Sequence, residues 1–360
     1  MCMSFTENLS GKRIAVALSG GVDSAVVAAL LKEQGAEIVG LTMRVQETDD
    51  MQEATQLAQW LRLEHYIIDL TARFKSCVMD AFADSYLRGE TPSPCVHCNR
   101  HLKFGSLMEA AKEKGCVALA TGHYARRRES PSGGAELHQA IDPLRDQSYF
   151  LFSLSPEQIN FLRFPLGDKT KKEVRALAQE RGIPSADKKD SQDICFVPDG
   201  DYVSVLKRLR PEGNHAGQIV DQQGNVLGQH EGIIHFTVGQ RKGLGLSART
   251  GDNNEPLYVV RIDAAKGQVV VGPRDALACK QVVLRDLNWL GGAVFAEGQG
   301  EGQIVTVRLR STQQPVPARF FKEGDGCGRL VLDEAMLGVS SGQAGVIYHE
   351  GRVLGGGWIV

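Results

Sequence analysis

Apolar residues in the first half of the chain follow two alternating patterns. Short continuous apolar runs predict buried strands over 14–18, 37–43, 65–70 and 117–121. Apolar residues spaced three or four positions apart predict helices. The first ends at about 34, the second spans about 54–61, and a further helix spans about 171–181. Gly182 and Pro184 mark the end of the last of these helices. Strands that alternate with helices form parallel sheets, so this part of the chain predicts a doubly wound α/β fold.

The pattern changes after about residue 205. Short β-rich runs predict strands over 231–238, 257–262, 268–271, 303–310, 329–332 and 345–349, and clusters of Gly, Asp and Asn separate them. We therefore predict a catalytic α/β domain over 1–205, a small β-rich domain over 206–275 and a β-barrel-like domain over 276–360.

Composition narrows the class of protein. A chain of 360 residues with 42% hydrophobic and 23% charged residues is typical of a globular protein with several cores. The net charge of −2 argues against a dedicated non-specific nucleic-acid binder, so an RNA partner would be held by local patches. The chain lacks an apolar run of the roughly 20 residues that span a membrane, and Met1–Lys12 lacks a signal-peptide pattern. We expect a cytoplasmic protein without a membrane partner, whose eight cysteines are mostly reduced thiols.

The loop Ser19–Ser24, of sequence Ser-Gly-Gly-Val-Asp-Ser, separates the first predicted strand from the first predicted helix. Backbone N–H groups and the positive end of the helix dipole converge there, which favours an anion such as phosphate. Gly20 and Gly21 permit close backbone approach, and Asp23 is suited to orient a metal or to cap the turn. A plain strand–helix turn is the alternative interpretation. It is not a Walker A loop, because no Gly-Lys-Ser/Thr follows at the required spacing.

This loop resembles that of the PP-loop ATP pyrophosphatases. The resemblance implies that ATP, accompanied by Mg²⁺, is cut to AMP and pyrophosphate, with transfer of the adenylyl group to a carbonyl-type oxygen. It assigns a catalytic role to Asp23 and places Met43 near the adenine and Gly122 against the nucleotide. The remaining ATP-binding positions that it implies are Ala17, Leu18, Ser19, Gly20, Gly21, Val22, Asp23 and Ser24.

Two groups of cysteines lie among polar residues. Cys95 and Cys98 lie in the Pro-rich segment 91–100, and Cys195 is likewise flanked by polar residues, so packing alone explains these thiols poorly. The C-x-x-C spacing fits a redox pair or half of a metal site. A second C-x-x-C or a His-x₃₋₅-His does not follow, which argues against a complete structural zinc site.

Six motifs in order resemble the tRNA-specific 2-thiouridylases, and they span nearly the whole chain. They lie at 19–24, 91–99, 121–125, 146–150, 188–196 and 239–245. The resemblance implies ATP-dependent 2-thiolation of the wobble uridine of tRNA. It assigns Cys98 as the nucleophile and Cys195 as the carrier of a persulfide, with a transient disulfide between the two. The implied partners are tRNA with uridine at the wobble position and a persulfide donor supplied by a cysteine desulfurase or a sulfur carrier.

The same resemblance assigns tRNA contacts. The positions are His123, Arg145, Asp146, Gln147, Arg308, Leu309 and Gln343. Leu309 departs from the aromatic residue that is common at its position, which weakens an expected stacking contact. Basic stretches such as Lys169–Lys172 are expected to be solvated faces, some of which meet tRNA phosphates.

A second departure concerns the target base. Where many family members have Asn-Pro-Asp, this chain has Ser93-Pro94-Cys95, so a thiol replaces a carboxylate. Cys95, Cys98 and Cys195 then supply three thiols, which suit a four-iron–four-sulfur cluster with one open iron position, although four protein ligands are more common. Two other functions stay open: an ATP-dependent amidotransferase or ligase of the same loop family, and a non-catalytic RNA-binding protein with an ATP site.

Overall fold

The computed structural model describes residues 8–131, 133–188, 194–213, 215–246, 255–292, 302–324 and 326–360. The chain forms two compact units. The first comprises Met1–Cys77, Cys95–Gln192 and Glu350–Val353, and the second comprises Val78–Pro94, Asp193–His349 and Leu354–Val360. Across these described ranges, we find no helix with the length and apolar character needed to cross a membrane.

The strands are β1 (Arg13–Ala17), β2 (Glu37–Arg44), β3 (Glu64–Asp69), β4 (Ala118–Ala120), β5 (Ala125–Glu129), β6 (Ala135–Gln139), β7 (Leu162–Arg163), β8 (Gly217–Val220), β9 (Val226–His230), β10 (Tyr258–Asp263), β11 (Gln268–Gly272), β12 (Ala278–Trp289), β13 (Gln303–Arg308), β14 (Val316–Glu323), β15 (Cys327–Leu337), β16 (Ala344–His349) and β17 (Arg352–Ile359). The α-helices are α1 (Val22–Glu33), α2 (Gln52–Trp60), α3 (Thr71–Phe74), α4 (Ala81–Leu87), α5 (Pro94–His97), α6 (Leu107–Glu113), α7 (Pro156–Phe161), α8 (Lys171–Glu180) and α9 (Tyr202–Leu209). Two π-helical segments span Lys75–Asp80 and Cys98–Ser106.

A parallel sheet of order β3-β2-β1-β4-β7 forms the centre of the first unit. The apolar residues of β1 are buried because helices cover both faces of such a sheet, as Ile14 and Val16 illustrate. Val26 of α1 and Val174 of α8 belong to the same core. The predicted doubly wound parallel sheet is therefore confirmed. Because parallel strands end at one edge, β1, β2 and β4 direct their following loops to the same side, where such sheets bind ligands.

The first unit also contains an antiparallel hairpin of β5 and β6, with Ala125 opposite Gln139. Arg352 pairs with His138 of this hairpin and forms a 2.8 Å ion pair with Glu136. The hairpin follows directly after Tyr124, whose hydroxyl donates to Asp23 at the start of α1.

The second unit contains two β structures. A sheet of order β10-β11-β8-β9 has one parallel pair, β11 with β8. Strands β12, β15, β14, β13, β16 and β17 close into a barrel through the pairing of β12 with β17. The barrel core includes Val307, Leu309 and Phe320. The β-rich architecture of the second half is confirmed, whereas the division into three domains stays a prediction.

One predicted strand is wrong. Strand β9 ends at His230, and the predicted strand 231–238 contains a short 3₁₀ turn, Ile233–His235. Ile233 and Ile234 are buried, so the apolar residues that suggested a strand pack into the core from a turn. An apolar run of this length does not by itself distinguish the two conformations.

Candidate active site

The loop between β1 and α1 has the geometry of an anion-binding turn. Gly21 precedes α1 with extended backbone and caps the helix with no side chain, so the side-chain acceptor that usually takes the first N–H groups is missing there. Gly20 has a φ of +74°, and a Cβ atom there would lie 3.0 Å from the Cβ of Glu53. Only glycine meets both conditions without strain. The loop therefore presents N–H groups at a helix N-terminus, as phosphate binding requires.

Serine hydroxyl groups hold the loop in shape. Ser24 Oγ donates to the carbonyl of Gly21 at 3.0 Å and accepts from the N–H of Ser19 at 3.2 Å. The Ser19 hydroxyl lies 3.3 Å from Ser24 Oγ and is exposed. Ser24 is thus a structural part of the turn, and Ser19 is the exposed serine.

Asp23 lies in the first turn of α1 and is held from two sides. Tyr124 Oη donates to Asp23 Oδ1 at 3.0 Å, and Lys171 Nζ lies 2.8 Å from both carboxylate oxygens. Gly122 packs directly on Asp23, since a Cβ at Gly122 would lie 2.9 Å from the Asp23 Cβ. Gly122 is therefore beside the loop, where the sequence motif places it, and glycine is the residue that this close approach permits.

Lys171 corrects one expectation about the basic stretches. The segment Lys169–Lys172 is expected to be a solvated face, but Lys171 is only 8% exposed. It is the first residue of α8, which begins with a capping box between Thr170 and Glu173. The Thr-x-x-Glu spacing was visible in the sequence and predicts this helix start. It does not predict which side chain of the first turn points inward.

The strand ends next to the loop hold Ala17 and Met43. Ala17, the last residue of β1, pairs with Leu41 of β2, and Leu18 is buried. Thr42 Oγ1 donates to the carbonyl of Leu18 at 2.9 Å, which ties the end of β2 to the start of the loop. Met43 follows Thr42 and is half-buried. This places Met43 at the edge of the sheet where the loop lies.

Cys95 and Cys98 lie on consecutive helical segments of the first unit. Cys95 is in α5 and exposed, and Cys98 begins the π-helical segment and is half-buried. The adjacent Asn99 is buried, and its Nδ2 donates to the carbonyl of Phe150 at 3.2 Å. The Pro-rich segment 91–100 is thus partly helical, and Cys98 is the first residue of a π-helical segment that continues α5.

Lys103 is a residue that sequence reasoning missed. A π-helix joins residues five apart by hydrogen bonds, so Cys98–Ser106 brings Lys103 towards the face of Cys98, which an α-helix of the same sequence would not do. Burial raises the pKa of the Cys98 thiol, and the charge of Lys103 opposes that rise. Cys95 is exposed as a residue, but neighbouring protein atoms desolvate its thiol and raise its pKa, an effect that Lys103 again opposes. π-Helical segments are frequent at functional sites.

His123 connects the cysteine helix to the nucleotide-type loop. Its ring meets Phe104 edge-to-face at 5.4 Å between centroids, and its Nδ1 lies 2.7 Å from Thr121 Oγ1. Burial, with a smaller effect of Lys103, holds the pKa of His123 well below its usual value. The imidazole is therefore neutral at pH 7, so a contact between His123 and tRNA would be a hydrogen bond and not an ion pair.

The turn Asp142–Gln147 contains three predicted tRNA contacts. Asp146 is buried, and its Oδ1 accepts from the N–H of Ala140 at 2.9 Å while its Oδ2 accepts from Ser148 Oγ at 2.8 Å. Its carboxylate thus shapes the turn. Arg145 is half-buried beside the exposed tip, where Leu144 is 87% exposed.

The predicted tRNA contacts of the second unit are partly buried. Leu309 is fully buried in the barrel core, and Arg308 is 4% exposed with Nη2 donating to the carbonyl of Ser311. Gln343 is half-buried, and its Nε2 donates to the carbonyl of Thr91 at 2.8 Å. Their tRNA contacts stay predictions. Leu309 is 0% exposed as a whole residue, and its N–H donates to Gln313 Oε1 at 2.9 Å.

Cys195 lies in a turn of the second unit and is exposed. The next residue, Phe196, is buried and packs edge-to-face on Phe82 with 5.2 Å between ring centroids. This anchor holds the Cys195 thiol at the surface. Part of its sequence motif, 189–193, lies outside the described residues.

Metal-ligating side chains do not cluster in the described residues. No group of three or more His, Cys, Asp or Glu in these ranges is arranged to hold a metal ion. The iron–sulfur cluster of Cys95, Cys98 and Cys195 stays a prediction. Asp23 offers a carboxylate of the kind that holds Mg²⁺ together with substrate phosphates, and its oxygens would then be shared between Mg²⁺ and Lys171.

Comparison with known proteins places this site in a family. Family models match residues 12–199 (tRNA methyl transferase HUP domain), 204–273 (tRNA methyl transferase PRC-barrel domain) and 279–359 (aminomethyltransferase beta-barrel domain). The tRNA-specific 2-thiouridylase MnmA of Parvibaculum lavamentivorans is 50% identical over 97% of this chain and 90% of that protein. The enzymes of the same name from Rhodospirillum centenum (49%, covering 99% and 94%) and Methylorubrum extorquens (50%, covering 96% and 93%) are similarly close. The chain therefore belongs to the family of tRNA-specific 2-thiouridylases, which are tRNA sulfurtransferases.

Proposed function

We propose that this protein uses ATP to replace the C2 oxygen of the wobble uridine of tRNA with sulfur, and that it releases AMP and pyrophosphate. One relationship carries the proposal. The helix that begins at Cys98 packs through Phe104 on His123, and the neighbours of His123, Gly122 and Tyr124, both contact Asp23 of the loop. A nucleophilic thiol and an ATP-type loop thus belong to one packed structure.

The loop suits the first half of this reaction. The C2 oxygen of uridine is a poor leaving group, so it must first be adenylated by ATP, after which AMP leaves in its place. N–H groups of the turn before α1 would hold the phosphates, and the preorganised donors stabilise the charge that develops on pyrophosphate. Mg²⁺, held by Asp23 and the phosphates, would offset phosphate charge. Ala17, Leu18 and Met43 would surround the adenine side of the nucleotide.

The thiols suit the second half. A persulfide on Cys195 carries the sulfur. In one route its terminal sulfur attacks C2, AMP leaves, and Cys98 then attacks the Cys195 sulfur and releases thiouridine. In the other route Cys98 attacks first and releases sulfide, which displaces AMP from C2. Both routes end with a Cys98–Cys195 disulfide, which an external two-electron dithiol reductant must reopen.

The thiol of Cys98 needs activation in either route. Its raised pKa keeps it protonated at neutral pH, whereas the thiolate is the attacking form. Among the described residues, Lys103 is the charged side chain that opposes this effect and favours the thiolate. We therefore assign Lys103 to activation of Cys98.

Recognition of tRNA would use local contacts. The target uridine must be reached as an unstacked base, as is usual for single-stranded RNA loops. The proposed sulfur donor is a desulfurase-derived persulfide or a sulfur carrier. The proposed tRNA contacts are His123, Arg145, Asp146, Gln147, Arg308, Leu309 and Gln343. We also propose that the protein acts on tRNA in the cytoplasm.

One reconstitution tests the proposal. Protein, ATP, Mg²⁺, a persulfide donor and unmodified tRNA are incubated, and AMP and modified nucleosides are measured by mass spectrometry. We expect thiouridine and AMP in equal amounts. AMP without thiouridine would contradict sulfur transfer and favour a ligase, and a protein that binds tRNA but forms neither product would favour the RNA-binding alternative.

A second measurement addresses Cys95. If the three thiols hold an iron–sulfur cluster, anaerobically purified protein contains iron and acid-labile sulfide, and Cys95→Ser lowers both. If they do not, thiolation proceeds in iron-free protein, and the persulfide scheme stands without the cluster.

A further inference from the structure

Two hydrogen-bond paths join the turn Asp142–Gln147 to Asp23. In the first, Gln147 grips the backbone of Tyr124 twice: its Oε1 accepts from the Tyr124 N–H at 2.9 Å, and its N–H donates to the Tyr124 carbonyl at 2.8 Å. The Tyr124 hydroxyl then donates to Asp23 Oδ1 at 3.0 Å. A displacement of Gln147 therefore acts on Asp23 through one intervening residue.

The second path runs through the start of α8. Asp142 Oδ2 accepts from the backbone N–H of Lys171 at 3.0 Å, and Asp142 Oδ1 accepts from the N–H of Leu144 at 3.1 Å. Lys171 Nζ donates to both oxygens of Asp23 at 2.8 Å. Lys171 is thus bonded to the turn Asp142–Gln147 through its backbone N–H and to Asp23 through its side chain.

Both linking residues are buried, and the tip of the turn is open. Tyr124 is 3% and Lys171 8% exposed, so neither side chain can exchange its partner for water without a change in packing. Leu144, at the tip, is 87% exposed and accessible to a large ligand. The base of the turn is hydrogen-bonded to the two residues that hold Asp23. A ligand bound at the tip therefore acts on Asp23 through these bonds.

We propose that Tyr124 and Lys171 are positioning residues that couple occupancy of the turn by tRNA to occupancy of the loop by ATP. This inference rests on the proposed function, which assigns tRNA to the turn and ATP to the loop. When tRNA occupies the turn, Tyr124 and Lys171 keep Asp23 in the position that binds ATP with Mg²⁺. When ATP occupies the loop, the same residues keep the turn in the position that binds tRNA. Because binding free energies are linked, each ligand must tighten the other by the same factor.

Equilibrium binding to the full chain tests the coupling. The probes are α,β-methylene-ATP with Mg²⁺, which cannot transfer its adenylyl group, and an unmodified tRNA transcript with uridine at the wobble position. The Kd of each probe is measured with and without a saturating amount of the other. We expect each to tighten the other by the same factor, on the order of fivefold or more.

Variants locate the coupling. Tyr124→Phe keeps the ring and its packing and removes only the donor to Asp23, so the coupling factor should fall to about twofold or less. Asp142→Ala removes the acceptor at the start of α8 and should lower the factor through the second path. Tyr66→Phe is the matched control, because Tyr66 Oη donates to Glu64 at 2.5 Å, at the edge of the sheet where β1 begins. That variant should retain the full factor.

The outcomes separate this inference from the proposed function. Thiouridine formation by the unaltered protein tests the function, and the binding factors test the coupling. If the protein thiolates tRNA but binds the two probes independently, the coupling is wrong. It is equally wrong if Tyr124→Phe, shown to be folded by its thermal unfolding, keeps the full factor, or if Tyr66→Phe loses it.

Discussion

The ammonium nitrogen of Lys171 lies 2.8 Å from both carboxylate oxygens of Asp23, although 148 positions separate the two residues in the chain. A Walker A loop carries its own lysine, and the loop at Ser19–Ser24 has none. The fold supplies a lysine from the start of α8 instead. This lysine neutralises Asp23 and stands beside the turn that is proposed to hold phosphate.

We expect Lys171→Met to lower AMP formation at least tenfold, because Asp23 loses its counter-charge and its orientation. The variant should also unfold more easily, by about 1–3 kcal/mol, since a partly buried charged hydrogen bond is lost. The measurements are AMP release and the free energy of unfolding. Lys172→Met is the matched control, because Lys172 is the exposed neighbour on the same helix turn. Equal activities of the two variants would contradict the assignment.

Gly20→Ala should impair the loop more than the same change at Gly11. Both glycines have a left-handed φ, +74° and +70°, so alanine costs about 1–2 kcal/mol of backbone strain at either position. A Cβ at Gly20 would also meet Glu53 at 3.0 Å, whereas Gly11 has open space. Thermal unfolding and the Kd of the ATP analogue check this. Nucleotide affinity should fall only in Gly20→Ala, and unchanged affinity there would argue against a nucleotide site.

Cys98→Ser and Cys195→Ser should each abolish thiouridine formation while ATP-analogue binding is kept. A hydroxyl group can neither carry a persulfide nor form the disulfide. Cys279→Ser is the control: Cys279 Sγ donates to the carbonyl of Gln281 at 2.9 Å, a bond that serine can also make. Nucleoside mass spectrometry measures the product. Full thiolation by either of the first two variants removes that cysteine from the mechanism.

Alkylation of Cys98 should depend on pH and on Lys103. Burial raises the pKa of the thiol, so its reaction with iodoacetamide should accelerate as pH increases through neutrality. Lys103→Met removes the opposing charge, so the pKa should rise further and the profile should move to higher pH. For each increase of one in the pKa of the thiol, the alkylation rate at a fixed pH below that pKa falls about threefold. The loss of thiolate is partly offset because a thiolate of higher pKa is more nucleophilic.

Peptide mass spectrometry assigns the alkylated site. Lys114→Met serves as the comparison, since the Lys114 ammonium lies over the ring of Tyr66 and is not among the charges that act on the Cys98 thiol. A Lys103→Met profile that overlays the unaltered one would show that this lysine does not act on Cys98.

Local patterns were sufficient for much of the fold. The strand–loop–helix order around Ser19–Ser24 follows from an apolar run, two glycines and a helical spacing, and the structure confirms β1 and α1 there. The apolar spacing over 171–181 likewise predicts a helix, and the structure confirms α8 there. The region 231–238 failed because a short apolar segment satisfies a strand and a buried turn equally well.

The sequence by itself determined the parallel sheet and the position of the turn between β1 and α1, because each follows from patterns among residues close together in the chain. Only the tertiary structure decided that Lys171 and Tyr124 hold Asp23, that Leu309 is buried and that a π-helix turns Lys103 towards Cys98. These depend on which side of each element packs inward. Packing is settled by contacts between distant segments, and no local pattern specifies such contacts.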